Sequence, residues 1–203
     1  VNNLRNEAEV TLAGERTSGE YREALASCLE EAQKLKRIVD HLLFLARAEA
    51  REARAEREEI RVKEELEALA DYYGPKAREH GIGLVAACPD GLRVSADRTL
   101  LQRAVSNLVE NSLKHTPAGG NVRIEGAERD GGIEVRVSDT GCGISAERLG
   151  RLLNREGPAG SDGGGLGLGL AIVRAIASLH GGGVEIASTE GKGTTVTVRI
   201  PAP

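Results

Sequence analysis

Asn107 and Asn111 lie one helical turn apart in the stretch "NLVENSLKHTP", and Lys114 follows close to one turn further on. Two amide oxygens and an ammonium on one helix face suit hydrated Mg2+ and a triphosphate. A hard cation takes oxygen donors, and the ammonium offsets phosphate charge. A second block, "DTGCGIS", opens with Asp139 directly after the alternating apolar residues Ile133, Val135 and Val137. That places a carboxylate at a strand end, where Gly141 and Gly143 let backbone approach a ligand. At the floor of an apolar pocket such a carboxylate accepts the exocyclic N–H of adenine. A third block, "GGGLGLGLAIV", runs from glycines into Leu168, Ile172, Ala175, Ile176 and Leu179 at helical spacing. It reads as a loop feeding a helix start, whose free N–H groups and positive dipole end suit phosphate. The fourth, "GKGTTVTVRIP", turns on Gly191 and Gly193 and offers a hydroxyl at Thr194 or Thr195.

Taken singly, each block has an ordinary alternative. Polar residues on a helix face solvent, Asp-Thr-Gly makes a turn, and a glycine pair closes a hairpin. Two familiar phosphate motifs are excluded by spacing. The Gly191-Lys192 pair is followed by Gly193, where a P-loop needs Ser or Thr. The 163–169 glycines lack both the preceding strand and the G-x-G-x-x-G spacing of a dinucleotide fold.

The elements that must position these residues fall into two kinds. Residues 1 to about 58 read as wholly helical, with a break at Ala13–Ser18. On the second helix Leu25, Cys28, Ala32, Leu35, Val39, Leu42 and Ala46 form a heptad seam, widened by Leu29, Ile38 and Leu45. Two helices cannot bury so wide a face alone, so a homodimeric four-helix bundle is expected. Beyond it come short alternating strands at Leu92 and Val94, Val122 and Ile124, Ile133 to Val137, Val184 and Ile186, and Val196 to Ile200. Helical stretches near 63–80, 97–114 and 167–180 lie among them. This pattern indicates an α+β sandwich with helices on one face of a mixed sheet.

With 203 residues, 40% hydrophobic and only 2% aromatic, the chain needs an aliphatic core. A net charge of −4 argues against nonspecific nucleic-acid binding. Cys28, Cys88 and Cys142 are scattered and odd in number, which suits a reducing compartment and neither a disulfide frame nor a zinc site. No apolar run reaches membrane-spanning length.

In this order the four blocks resemble the ATP-binding domain of the GHKL superfamily, which includes sensor histidine kinases, gyrase-type ATPases, mismatch-repair ATPases and heat-shock chaperones. "NLVENSLKHTP" looks like the N box of histidine kinases, "DTGCGI" the G1 box, "GGGLGLGLAIV" the G2 box and "GKGTTVTV" the G3 segment, a likeness over about residues 59–201. The stretch "EYREALASCLEEAQKLKRIVDHLLFLARAEA" is similar to the second helix of the dimerisation and phosphotransfer domain of sensor histidine kinases.

The resemblance implies a dimerisation and phosphotransfer hairpin over 1–58 and a catalytic domain of the GHKL (Bergerat) type over 59–203. It implies ATP, ADP and Mg2+ as ligands. Asn111 ligates the metal and Asn107 supports it from the previous turn. Lys114 neutralises phosphate, His115 lies against the adenine ring, and Asp139 accepts from its amino group. Gly141, Gly143 and Ile144 count among the cofactor-binding residues, with Arg155 reaching phosphate. Gly165, Leu166, Gly167, Leu168 and Gly169 bring N–H groups to the phosphates, and Thr195 adds a polar contact. The implied partners are a second copy of the chain and a response-regulator receiver domain. The implied location is the cytoplasmic part of an inner-membrane sensor, held to the membrane only through upstream segments.

Two departures stand out. "VNNLRNEAEV" looks like the sequence just after the family's H box, so the acceptor His is expected upstream of Val1, and the chain is expected not to autophosphorylate. The lid stretch "RLGRLLNREGPAGSD", of which "LLNREGPAGSD" reads as a mobile loop, has no Phe, leaving Leu152 and Leu153 as its large apolar residues. Two rivals remain: an ATPase driving conformational change, for which Glu110 stands beside Asn111 where a base one turn earlier is needed, and a degenerate nucleotide-binding scaffold.

Overall fold

The computed structural model describes residues 9–12, 14, 17–50, 54–154 and 166–202. It divides into two compact units between Arg47 and Ala48.

In the first unit, helix α1 spans Ser18–Glu49. A reciprocal cap starts it. The Thr17 hydroxyl accepts the Glu20 N–H at 3.3 Å, and the Glu20 carboxylate accepts the Thr17 N–H at 2.7 Å. No residue of α1 is buried, and Leu25, Leu29, Ile38, Val39 and Leu42 all stand exposed.

The expectation of helix to residue 58 fails. Helix α1 stops at Glu49, residues 54–57 are irregular, and strand β1 occupies Glu58–Arg61. Its charged sequence favours helix locally, but Ile60 pairs with Val94 and is fully buried. Tertiary packing of that one side chain overrides the local propensity.

The second unit continues with α2 (Val62–Glu79), β2 (Gly83–Ala87), β3 (Arg93–Ala96) and α3 (Arg98–His115). Next come β4 (Asn121–Arg129), β5 (Gly132–Asp139), α4 (Ala146–Asn154), α5 (Leu166–Leu179), β6 (Gly183–Thr189) and β7 (Gly193–Ile200). Strands β1 and β3 form a small antiparallel pair, and the main sheet runs β2-β4-β5-β7-β6. Only the β2–β4 pairing is parallel, so the sheet is mixed as expected.

Strand alternation sorts the side chains. Val122, Ile124, Ile133, Val135, Val137, Val198 and Ile200 are buried beneath α2, α3 and α5. The alternate positions Glu134, Arg136, Thr195 and Arg199 share the opposite face, where Arg199 bonds both Glu134 and Glu185. The core is aliphatic, with Tyr73 the one aromatic residue buried among the described residues. Residues 152–154, read from sequence as the start of a mobile loop, are the last turn of α4.

Helices α3 and α5 lie antiparallel, and a buried histidine ties one end of the pair. His180, just past α5, is fully buried. Its Nδ1 donates to the Ile176 carbonyl at 2.8 Å, and its Nε2 accepts the Asp97 N–H at 3.0 Å. Accepting a backbone N–H at Nε2 assigns the proton to Nδ1 and a neutral ring. Asp97 in turn caps α3, accepting the Leu100 N–H at 3.0 Å, and its other oxygen accepts the Glu56 N–H at 3.0 Å. Arg57 completes the junction by donating to the His180 carbonyl at 2.9 Å.

His180→Ala removes a packed ring and orphans the Asp97 N–H. The expected loss is about 2–4 kcal/mol in unfolding free energy, read by urea titration. A loss below about 0.5 kcal/mol would contradict this account of the junction.

Candidate functional site

Asp139 ends β5, and three elements converge on its carboxylate. Oδ1 accepts the Gly141 N–H at 2.9 Å and the Thr194 N–H at 3.2 Å; Oδ2 accepts the Ser112 hydroxyl at 3.2 Å. The turn after β5 folds close because Gly141 is buried against the His115 carbonyl, where a Cβ would collide. Gly193 is held at φ +105° against the Asp139 carbonyl, a conformation and an approach that only glycine permits.

Asn107 and Asn111 do share one face of α3, half-buried. Helix α5 reaches them at Gly169. A Cβ there would come within 3.2 Å of Asn111 Nδ2 and 3.3 Å of Asn107 Oδ1. Asn107 Nδ2 donates to the Arg103 carbonyl at 2.7 Å, which leaves its oxygen directed outward from the helix backbone. Gly167 and Leu168 are half-buried in the first turn of α5. At the end of α3, Lys114 and His115 share with Gly141 the wall of an open cleft of about 420 Å3. Thr116, Pro117, Thr140, Cys142 and Gly191 complete that wall. Ile144 is buried, and its N–H donates to Ser188 Oγ at 2.8 Å. Gly143 packs its backbone against the Thr189 carbonyl.

One expected residue is misplaced. Thr195 lies on the far face of the sheet, its hydroxyl bonded to Ser138 Oγ at 3.0 Å. Its neighbour Thr194 is the one that meets Asp139. Parity decides this: Thr194 is in phase with the inward Val196, Val198 and Ile200, and Thr195 is not. Ser112 and Ser188 were not singled out by any motif. Both were detectable as hydroxyls in otherwise apolar rows, Ser112 in register with Val105, Leu108 and Val109, and Ser188 with Val184 and Ile186. Arg155, Gly165 and the rest of 155–165 lie outside the described residues, as do the side chains of Leu153 and Leu166.

The residues present fit a nucleotide. The amide oxygens, the glycine cradle and the carboxylate lie along one α3–β5–α5 surface. His115 Nε2 is buried without a hydrogen-bond partner among the described residues. Among those residues no cluster of three His, Cys, Asp or Glu could hold a metal by itself. Two neutral amides suit Mg2+ only when phosphate supplies further oxygens.

Residues 96–203, just over half of the chain, match the family described as histidine kinase-, DNA gyrase B- and HSP90-like ATPase. The chain belongs to that family. Its curated relatives are sensor histidine kinases, among them sensor protein IrlS of Burkholderia pseudomallei, 37% identical over all of this chain and 44% of that protein. The chain thus spans less than half the length of this relative. Full-length ShkA, crystallised in complex with AMPPNP, is 27% identical with a TM-score of 0.79, over 93% of this chain and 40% of that one. Histidine kinase ThkA in complex with response regulator TrrA shares the fold, at 20% identity and a TM-score of 0.74, over all of this chain and 59% of that one.

In this histidine-kinase ATPase domain, burial first and then Lys114 and Arg148 hold the His115 imidazole below its ordinary value of 6.5, against an opposing pull from Asp139. Folding therefore favours the neutral ring. Its contribution is fully present above pH 6.5 and is lost as pH falls below that value. Thermal melts from pH 8 to 5 should show wild-type stability falling on the acid side more steeply than that of His115→Asn. Parallel curves would sink the assignment.

Proposed function

We propose that this chain is the Mg-ATP-binding kinase core of a two-component sensor, and that the intact protein moves the γ-phosphoryl to a histidine and then to a response-regulator aspartate. The observation that carries the reading is the convergence of Asp139, the paired Asn107 and Asn111, and the α5 glycines on one surface. When bound, Mg-ATP supplies the phosphoryl group and the metal charge that offsets its oxygens. The chain's own residues position it. Asp139 accepts from the base, Asn111 and Asn107 hold the metal side, Lys114 meets phosphate, and the first turn of α5 presents N–H groups. The AMPPNP complex of ShkA and the TrrA complex of ThkA support the nucleotide and the regulator as ligand and partner.

Two of the four histidines are closed to phosphate in this chain, and the other two are engaged or half-buried on helices. His180 is fully buried and bonded through both ring nitrogens, and His115 Nε2 is enclosed. His80 caps α2 with Nδ1 2.8 Å from the Lys76 carbonyl, and His41 lies half-buried on α1. The chain therefore binds ATP without labelling itself. The rival ATPase reading loses its base. Glu110 accepts the Tyr73 hydroxyl at 3.1 Å, and burial chiefly pushes that phenol up to about 12, so the carboxylate is committed to α2.

The exposed apolar row of α1 carries the homodimer proposal. Among the described residues no helix is long and apolar enough to cross a membrane. On the likeness to sensor histidine kinases, we place the chain on the cytoplasmic side of an inner-membrane sensor.

In titration calorimetry with Mg-ADP, Asp139→Ala should weaken binding by about tenfold or more, since a charged acceptor is lost. Unchanged affinity would remove the pocket assignment, and a radiolabelled histidine after incubation with ATP would remove the no-transfer proposal. Light scattering should report a dimer for the wild type and a monomer for Val39→Asp with Leu42→Asp; a monomeric wild type refutes the bundle.

A further inference from the structure

Ser112 lies within the "NLVENSLKHTP" stretch without a role of its own there, yet its hydroxyl does something a helical serine does not do by default. The ready acceptor for such a hydroxyl is the carbonyl one turn back in its own helix. Ser112, only 6% exposed, reaches instead across to β5 and donates to Asp139 Oδ2 at 3.2 Å.

Valence then constrains what the carboxylate can bind. A carboxylate has about four acceptor positions. Oδ1 already takes two backbone N–H groups, from Gly141 and Thr194, and Oδ2 takes the Ser112 proton. The remaining capacity is on Oδ2, beside Ser112 Oγ. The serine oxygen has spent its only proton and keeps two lone pairs. A ligand meeting this pair therefore meets acceptors only.

We propose that Ser112 is a specificity-determining residue, which with Asp139 Oδ2 forms an acceptor-only edge that selects a purine carrying an exocyclic amine and rejects one carrying a carbonyl there. The inference rests on the nucleotide reading above and deepens it. An amine offers two N–H donors, one for Oδ2 and one for Ser112 Oγ. A carbonyl sets lone pairs against lone pairs. To accept from Ser112 it must turn that proton away from Asp139, which leaves the half-buried carboxylate short of a donor. The Gly141 and Thr194 N–H groups do not replace that donor, because both are engaged on Oδ1.

The test compares Mg-ADP with Mg-IDP, which carries a carbonyl in place of the amine and a ring N–H beside it, by titration calorimetry on the full 203-residue chain. Wild type should favour ADP by about tenfold or more, and Ser112→Ala should weaken ADP roughly threefold to tenfold while leaving IDP within about twofold. The ADP/IDP ratio therefore narrows. A merely structural role would weaken both nucleotides together, and an equal loss or an unchanged ratio overturns the proposal. Circular dichroism melts establish that the variant is folded. Asp139→Ala separates the two levels. If that variant binds ADP as tightly as wild type, the nucleotide reading itself fails; if it loses ADP while Ser112→Ala keeps the wild-type ratio, only the role of Ser112 falls.

Discussion

The carboxylate of Asp139 is the tie on which the second unit's working surface depends. It is bonded from its own following turn through Gly141, from β7 through Thr194 and from α3 through Ser112. Those bonds fix the end of the central strand relative to the end of the helix that carries the paired asparagines. A charged acceptor in a half-buried position is costly unless its lone pairs are met, and here three of them are met by the protein itself. The surrounding glycines follow from that tie. Gly141 and Gly193 stand where any side chain would push the backbone off the carboxylate or its own carbonyl.

The helices complete the arrangement by a second close approach. Gly169 lets α5 settle directly against Asn107 and Asn111, so the two amides and the first turn of α5 belong to one packed contact. Burial along that contact is aliphatic, from Val105 and Val109 on α3 to Ile172 and Ile176 on α5. The polar groups are thus held by a dry scaffold that leaves them few alternative rotamers. Preorganisation of this kind is what phosphoryl chemistry asks of a protein, since positioning and charge supply most of the rate.

Much of this was legible in the sequence, for identifiable reasons. The three long helices of the second unit show a clear 3.6-residue period, and the inward strand residues a clean period of two, so both were placed within a residue or so. The site blocks were found because glycine, Asp and Asn recur there at spacings that have few other uses. What was missed carries weak local signals. Strand β1 is four residues long, mostly charged, and exists because Ile60 finds a buried place. Strand β2 is a short parallel edge whose partner lies 38 residues away in sequence, Gly83 opposite Asn121. Thr195 was preferred over Thr194 although strand parity, extended from Val196, points to Thr194. Ser112 was passed over because a single serine inside a helix has no pattern of its own.

The His180 junction has a mechanical consequence. It grips α3 at Asp97 and α5 at its last turn, whereas the amides and glycines of the proposed site lie toward the other end of the pair. Asn111 is fourteen residues along the helix from Asp97, a lever of about 21 Å at 1.5 Å per residue, so a tilt of about 3° at the grip moves the amide by about 1 Å. Angular slack that would be harmless in an ordinary core is magnified into misalignment at the far end. A neutral, fully enclosed imidazole with both nitrogens engaged supplies the stiff pivot that such a lever requires. The fulcrum is gripped as well by Glu56 and Arg57, from the stretch just before β1.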